Sequence, residues 1–339
     1  MSGLAWAQAL VLTMLIGCAA GCARADLYPI TGESDGGSAG SVGGNGSTGS
    51  GGRAGSAGDA GSAASAGGGA GGAAPTCPVA IIPPGDSTQT VLVDGMTRSY
   101  VLHVPPSYEG RNAVPLVVDF HGVGSSGMEE RTSSPYPAKL DEEGVIMAFP
   151  DGLRGPAGTA WNVGPCCVAD VDDIAFARAL VEQVRGLACI DRTRVYAVGV
   201  LTGGGMAHYL ACHAADVFAA TAPAVFDLLA ENVDDCAPPR AVTVVSFRGT
   251  EDSRVPYEGG PSSLVPGMPL TFLGAQGSFE AWSAIDGCSG PASTPDANGC
   301  SSYSNCNEGA EVILCTKQGG REEPGDPEIA WPVLSRHTL

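Results

Sequence analysis

Basic residues are scarce in this chain: 339 residues carry 17 Lys and Arg against 36 Asp and Glu, a formal net charge of −19. A field of that sign repels phosphates, which excludes nucleic acid and an anionic membrane surface as charge-driven partners. No Lys or Arg precedes Arg24, and residues 4–23 contain no charge of either sign. A zinc site is also missing, because vicinal Cys166-Cys167 and the Cys300, Cys306 pair have no histidines at ligand spacing. No metal and no cofactor is therefore expected. Glycine is abundant, at 50 residues, but no strict Gly-X-Y period with proline accompanies it, which excludes a collagen-like rod.

What is present divides the chain into three. The uncharged run within residues 1–22 has the character of an export signal or a short membrane span. Leu15-Ile16-Gly17-Cys18 resembles a bacterial lipobox, which makes Cys18 the expected lipidated residue. Cys22 is a second candidate, and a plainly secreted protein or an uncleaved anchor are the alternatives. Residues 23–76 read as a flexible linker, since Thr31 to Ala74 is almost entirely Gly, Ala and Ser, with too little apolar side chain to offset the entropy of ordering it. A flexible coil of that length spans about 35–40 Å, enough to hold a domain clear of a membrane. Residues 77–339 carry the folded domain. Ten of the twelve cysteines lie there, an even number in an exported chain, which predicts several disulfides without disclosing their pairing.

Within the domain, two alternating apolar runs around Asp94-Gly95 predict a β-hairpin over 88–104. Apolar runs at 115–120 and 145–149 read as buried strands, each delivering a loop at its C-terminal end: His121-Gly122-Val123-Gly124 and Pro150-Asp151-Gly152. Ile174, Ala177, Leu180, Val181, Val184 and Leu187 recur at helical steps behind Asp172 and Asp173, which predicts a helix over 172–187. Strands at 194–199, 219–225, 241–247 and 311–316 alternate with helices at 203–213 and 278–285. The alternation predicts an α/β fold with a mostly parallel sheet, helices on both faces, and chemistry at the C-terminal strand ends.

Several of these stretches resemble one family. Arg98-Ser-Tyr-Val-Leu-His-Val-Pro105, the His121-Gly122 loop, Phe149-Pro-Asp-Gly152, Trp161-Asn162, Cys166-Cys167, Val171-Asp-Asp-Ile174, Leu210-Ala-Cys212, Gly249-Thr-Glu-Asp252 and Val255-Pro-Tyr257 follow one another as in polyhydroxybutyrate depolymerase-like and feruloyl or acetylxylan esterase-like proteins. The likeness covers roughly Thr97 to Trp331 and implies a disulfide-bearing α/β-hydrolase fold. It also implies a carboxylic-ester hydrolase with ester-bearing polymers or polysaccharides as ligands. In that fold a nucleophilic serine stands in a G-x-S-x-G turn between strand and helix. Here the turn is Gly199-Val200-Leu201-Thr202-Gly203, so Leu201 occupies the serine's place.

Asp252 fits the acid position. The family's histidine follows a glycine pair in G-G-H-x-W-P, whereas this chain has Gly319-Gly320-Arg321-Glu322-Glu323-Pro324, which puts Arg321 in the histidine's place and predicts an ion pair with Asp252. The other alignment takes Ala330-Trp331-Pro332 as the Trp-Pro anchor and leaves Ile329 at that position. Gly122, Val123 and Thr202 are the expected oxyanion-binding residues, with Trp161 beside them. These substitutions predict an impaired or inactive esterase that retains a ligand cleft. The alternatives are an active hydrolase using Thr202 or His337, and a non-enzymatic surface scaffold. The chain stops soon after the last matching motif, where the resemblance implies a closing helix, so a damaged or truncated copy is a further alternative.

Overall fold

A computed structural model describes residues 77–78, 82–321 and 324–339. The expected signal segment, Cys18 and the linker lie outside these residues. The first elements are the expected hairpin, β1 (Gly85–Val93) and β2 (Met96–Val104), whose turn places Asp94 at φ 50° and Gly95 at φ 79°. That backbone is the two-residue hairpin geometry that Asp-Gly favours. β3 (Val114–Phe120), α1 (Gly127–Ser133), α2 (Tyr136–Glu142) and β4 (Ile146–Pro150) follow. A small hairpin, β5 (Leu153–Gly155) and β6 (Gly158–Ala160), leads to α3 (Asp173–Leu187), β7 (Ile190–Val200), α4 (Thr202–His213), β8 (Ala220–Ala224) and β9 (Thr243–Gly249). A further hairpin, β10 (Gly260–Val265) and β11 (Met268–Phe272), precedes α5 (Gly274–Ile285), β12 (Cys300–Tyr303), β13 (Val312–Lys317) and α6 (Pro327–Leu334).

Nine strands form one sheet in the order β1-β2-β4-β3-β7-β8-β9-β13-β12. The run from β4 to β13 is parallel, and antiparallel partners close the two edges. Both faces are covered, as a parallel sheet requires. Alternation along β7 shows the division: Val195 and Ala197 join the core beneath α3 and α4, while Tyr196 and Val198 join the core beneath α2 and α6. α5 packs Phe279 and Trp282 on the α4 side, against Val244 of β9 and Leu314 of β13.

A closing helix, α6, forms over the last part of the chain. Pro327 stands in its first turn, where no intrahelical N–H is needed, and Asp326 caps it by accepting from the Glu328 N–H at 2.9 Å. Trp331 is buried within it, edge-on to Tyr196. Ala330-Trp331-Pro332 is therefore core helix and not a loop anchor, which removes Ile329 as the histidine's position. The ten cysteines from Cys77 onward all pair: Cys77–Cys189, Cys166–Cys167, Cys212–Cys236, Cys288–Cys306 and Cys300–Cys315. Disulfides of this density belong to a compartment outside the reducing cytosol. No helix among the described residues is long and apolar enough to cross a membrane.

Two buried carboxyls meet where α1 crosses the sheet. Asp119 of β3 accepts from the Ser134 hydroxyl at 2.6 Å, and Glu130 of α1 lies close enough to feel its charge. Burial raises both groups far above the ordinary carboxylate range, and mutual repulsion raises Glu130 further. Carboxyls that hold their protons more tightly folded than unfolded contribute stability that is fully present below the unfolded pKa of about 4 and is lost as pH rises through their folded values. We therefore expect stability to fall from pH 5 through neutrality. Glu130→Gln should flatten that fall, gaining on the order of 2 kcal/mol over the parent at pH 8 relative to pH 5. Urea unfolding at the two pH values measures it, and an unchanged slope would refute the assignment.

Candidate active site

The turn between β7 and α4 is the geometric centre of the loop edge. Leu201 sits in it at φ 52° and ψ −123°, a conformation that non-glycine residues rarely adopt. Its neighbours explain why the chain accepts the turn. A Cβ on Gly203 would come within 1.8 Å of the Phe120 carbonyl oxygen, and one on Gly204 within 2.3 Å of the Ala224 carbonyl oxygen. Only glycine lets the start of α4 seat directly on the ends of β3 and β8. The Leu201 N–H donates to the Ala224 carbonyl at 3.1 Å, which fixes the turn against β8.

The loop after β3 closes over this turn. A Cβ on Gly122 would lie 3.2 Å from Leu201 Cδ1, so the half-buried leucine side chain fills the space beside Gly122. Four interactions hold the loop. The Trp161 indole N–H donates to the His121 carbonyl at 2.9 Å, and the Gly124 N–H donates to the Thr159 carbonyl at 2.7 Å. His121 Nδ1 donates to the Gly122 carbonyl at 2.7 Å, while its Nε2 accepts from the Gly152 N–H at 2.9 Å. Burial lowers the His121 pKa, in keeping with a neutral ring that has one donor and one acceptor nitrogen. Trp161 is fully buried, so it acts by positioning the loop and does not line the cleft. The first N–H groups of α4, Thr202 among them, have no intrahelical acceptor, which is the electrostatic character of an oxyanion site.

Asp252 is held by its own turn: one carboxylate oxygen accepts from the N–H groups of Arg254 and Val255 at 2.8 and 3.0 Å. The other oxygen has no hydrogen-bond partner. Its nearest cation is Arg248 Nη2 at 4.0 Å. Arg248 is itself fully buried, ion-paired to Asp227 and donating to the Val255 carbonyl at 2.5 Å. Sequence reading missed this buried group, whose members come from the loop after β8, from β9 and from the loop after β9.

The loop after β13 docks on the acid loop by backbone contacts. Thr250 N donates to Lys317 O at 3.1 Å, Glu251 N to Gly320 O at 2.7 Å, and Gly319 N to Thr250 Oγ1 at 2.9 Å. The backbone of Arg321 thus reaches the acid loop, but its side chain is exposed and forms no ion pair with Asp252. The expected Arg321–Asp252 pair is replaced by Arg248–Asp252, because Arg248 approaches from the sheet beneath.

Neither alternative nucleophilic arrangement assembles. Thr202 is fully buried and its hydroxyl has no hydrogen-bond partner, so no base stands beside it. His337 bonds Glu311 Oε1 at 3.0 Å where β13 begins, and Leu339 N donates to Thr193 O at 3.0 Å near the start of β7. That is the opposite edge of the sheet from the turn at Leu201. His208 accepts from the Trp282 indole at 3.0 Å, with its pKa lowered to about 3 by burial. His103 lies between Asp86 and Asp141, and His213 packs against Tyr209.

A cleft of about 440 Å³ opens between Val123 of the first loop, Ser253, Arg254 and Pro256 of the acid loop, and Pro261, Ser262 and Leu264 of β10 and its approach. Among the described residues no cluster of three His, Cys, Asp or Glu side chains could hold a metal ion.

No protein-family model matches the chain. Over 246 residues, 71% of this chain, it is 42% identical to feruloyl esterase B of Piromyces equi, of whose length it spans 46%. It is 26% identical over 272 residues to feruloyl esterase D of Neurospora crassa, covering 74% of this chain and 85% of that one. The fold matches that of an acetyl xylan esterase from Aspergillus awamori with a TM-score of 0.53 at 15% identity, over 74% of this chain and 99% of the other. Sequence likeness to esterases, joined to the mostly parallel sheet and its strand-turn-helix at Leu201, establishes that the chain belongs to an esterase family with the α/β-hydrolase fold.

Proposed function

We propose that this protein is an exported esterase-fold domain disarmed at its nucleophile, which binds an ester-bearing polysaccharide without turning it over. The observation that carries the reading is Leu201 in the strained turn between β7 and α4, where an acyl-transfer enzyme of this fold needs an oxygen nucleophile. The unpartnered oxygen of Asp252 supports it, since no imidazole stands within hydrogen-bond reach. The cleft beside Val123 and the orphan N–H groups of the α4 start supply a place for an ester carbonyl. The feruloyl and acetyl xylan esterase relatives point to acylated polysaccharide as its ligand class. Cys18, in this reading, carries the lipid, and residues 23–76 tether the domain to the envelope.

The protein should hydrolyse an activated short-chain aryl ester no faster than its Thr202→Ala variant. Leu201→Ser with Arg321→His should raise the rate by about tenfold or more, because an oxyanion site alone retains part of the enhancement of a triad enzyme. Robust parent turnover would overturn the reading. Arg248→Met leaves two buried carboxylates without their cation and should cost about 3–5 kcal/mol. Burial already raises the Asp227 pKa to about 6, so the loss should be larger at pH 8, where Asp227 is ionised, than at pH 5. Denaturant unfolding at both values reads this, and a pH-independent loss would contradict the Asp227–Arg248 pairing. Cys18→Ser should shift the protein from the membrane fraction to the soluble fraction; an unchanged distribution would argue against lipidation.

A further inference from the structure

A second cavity, of about 630 Å³, opens on the α6 side of the loop edge, away from the lining of the cleft at Val123. Its volume lies within the range of small-molecule sites, roughly 300–1,000 Å³. One wall is apolar and stiff, built from Pro135, Phe247, Pro327 and Ile329. The other presents the side-chain amides of Asn298 and Gln318, both exposed and neither with a hydrogen-bond partner among the described residues.

The amides stand on fixed backbone. Asp296 Oδ1 accepts from the Asn298 and Cys300 N–H groups at 2.8 and 2.9 Å, and the Cys300–Cys315 disulfide ties that turn to β13. Gly299 closes the turn at φ 77°, and its carbonyl accepts from Thr316 N at 3.0 Å. Gln318 follows β13 directly, ahead of Gly320, whose N–H donates to the Lys317 carbonyl at 3.1 Å. Side chains carried on such a frame need little ordering when a ligand arrives.

The chemistry of the lining selects the ligand. Each amide offers donors and an acceptor together, which suits groups that also do both, and hydroxyls are such groups. Lys317 and Asp326 contribute opposite charges, and Arg248 is already paired to Asp227, so the wall carries no surplus charge for an ion. Prolines and Phe247 provide a flat apolar surface for carbon-bound hydrogens.

We propose that this cavity is an accessory site for a neutral polyhydroxylated ligand, a mono- or disaccharide unit, recognised without its acyl group. It extends the polysaccharide reading above but stands apart from the ester cleft, because a sugar without an ester suffices to fill it. Saturation-transfer NMR on the intact protein tests the proposal, with xylobiose and cellobiose as neutral probes and digalacturonate as the charged comparator. A neutral disaccharide should bind and digalacturonate should bind more weakly. The Asn298→Ala, Gln318→Ala double variant should lose about tenfold in affinity, the sum expected for two or three hydrogen bonds. Leu264→Trp, which fills the cleft beside Val123, should leave sugar binding within about twofold of the parent. Absence of binding by both neutral probes would overturn the proposal. So would binding that survives the double amide variant and is lost in Leu264→Trp, a result that would place the sugar at the ester cleft and leave the polysaccharide reading intact.

Discussion

No side chain fits between the first turn of α4 and the carbonyl oxygens of Phe120 and Ala224, and the architecture of the loop edge follows from that contact. Glycines at 203 and 204 let the helix start flush against the ends of β3 and β8. The connecting residue is then forced to a positive φ, which costs about 1–3 kcal/mol whatever its side chain is. The cost belongs to the backbone, so Leu201 bears it as a serine would. Because β3, β7, β8, β9 and β13 run parallel, their following loops all emerge at this edge, which brings Gly122, Asp227, Asp252 and Gly320 around one point. This convergence is set by the backbone and does not depend on the side chain at position 201.

The parallel strands were legible because each is buried on both faces and reads as an apolar run. α3 was legible from its helical spacing behind Asp172 and Asp173, and the structure adds a cap, the Asp172 carboxylate accepting from the Ala175 N–H at 2.8 Å. Helices α1 and α2, seven residues each, were not, because such short segments are helical through tertiary packing and not through their own propensity. Ser126, followed three residues later by Glu129, was nevertheless a readable capping signal for α1. Pro266-Gly267 marked the β10–β11 turn in the same way. In α6 the interior Pro332 obscured a helix that burial of Trp331 and Leu334 holds in place.

At the site, the resemblance to a G-x-S-x-G turn set the register at Leu201, and Asp252 was carried over by the same resemblance. The side-chain outcome at Arg321 was not legible. Sequence sets which residue stands in a loop, but the direction of a long side chain depends on desolvation. A guanidinium turned inward at Arg321 would have to displace the buried Arg248, which already neutralises this region from below. Nothing in linear spacing links Asp227, Arg248 and Asp252, since the three meet only after the sheet is assembled. The buried cation beside Asp252 could be seen only in three dimensions.

The charge count of this buried group bears on how the loop edge is held. One buried guanidinium faces two buried carboxyls, and its hydrogen-bonded partners are Asp227 and the Val255 carbonyl. Asp252 receives only the longer approach of 4.0 Å, so its second oxygen, itself buried, retains unmet acceptor capacity. A buried acceptor left without a donor costs about 1–3 kcal/mol, a local cost that this edge carries beside the positive φ at Leu201.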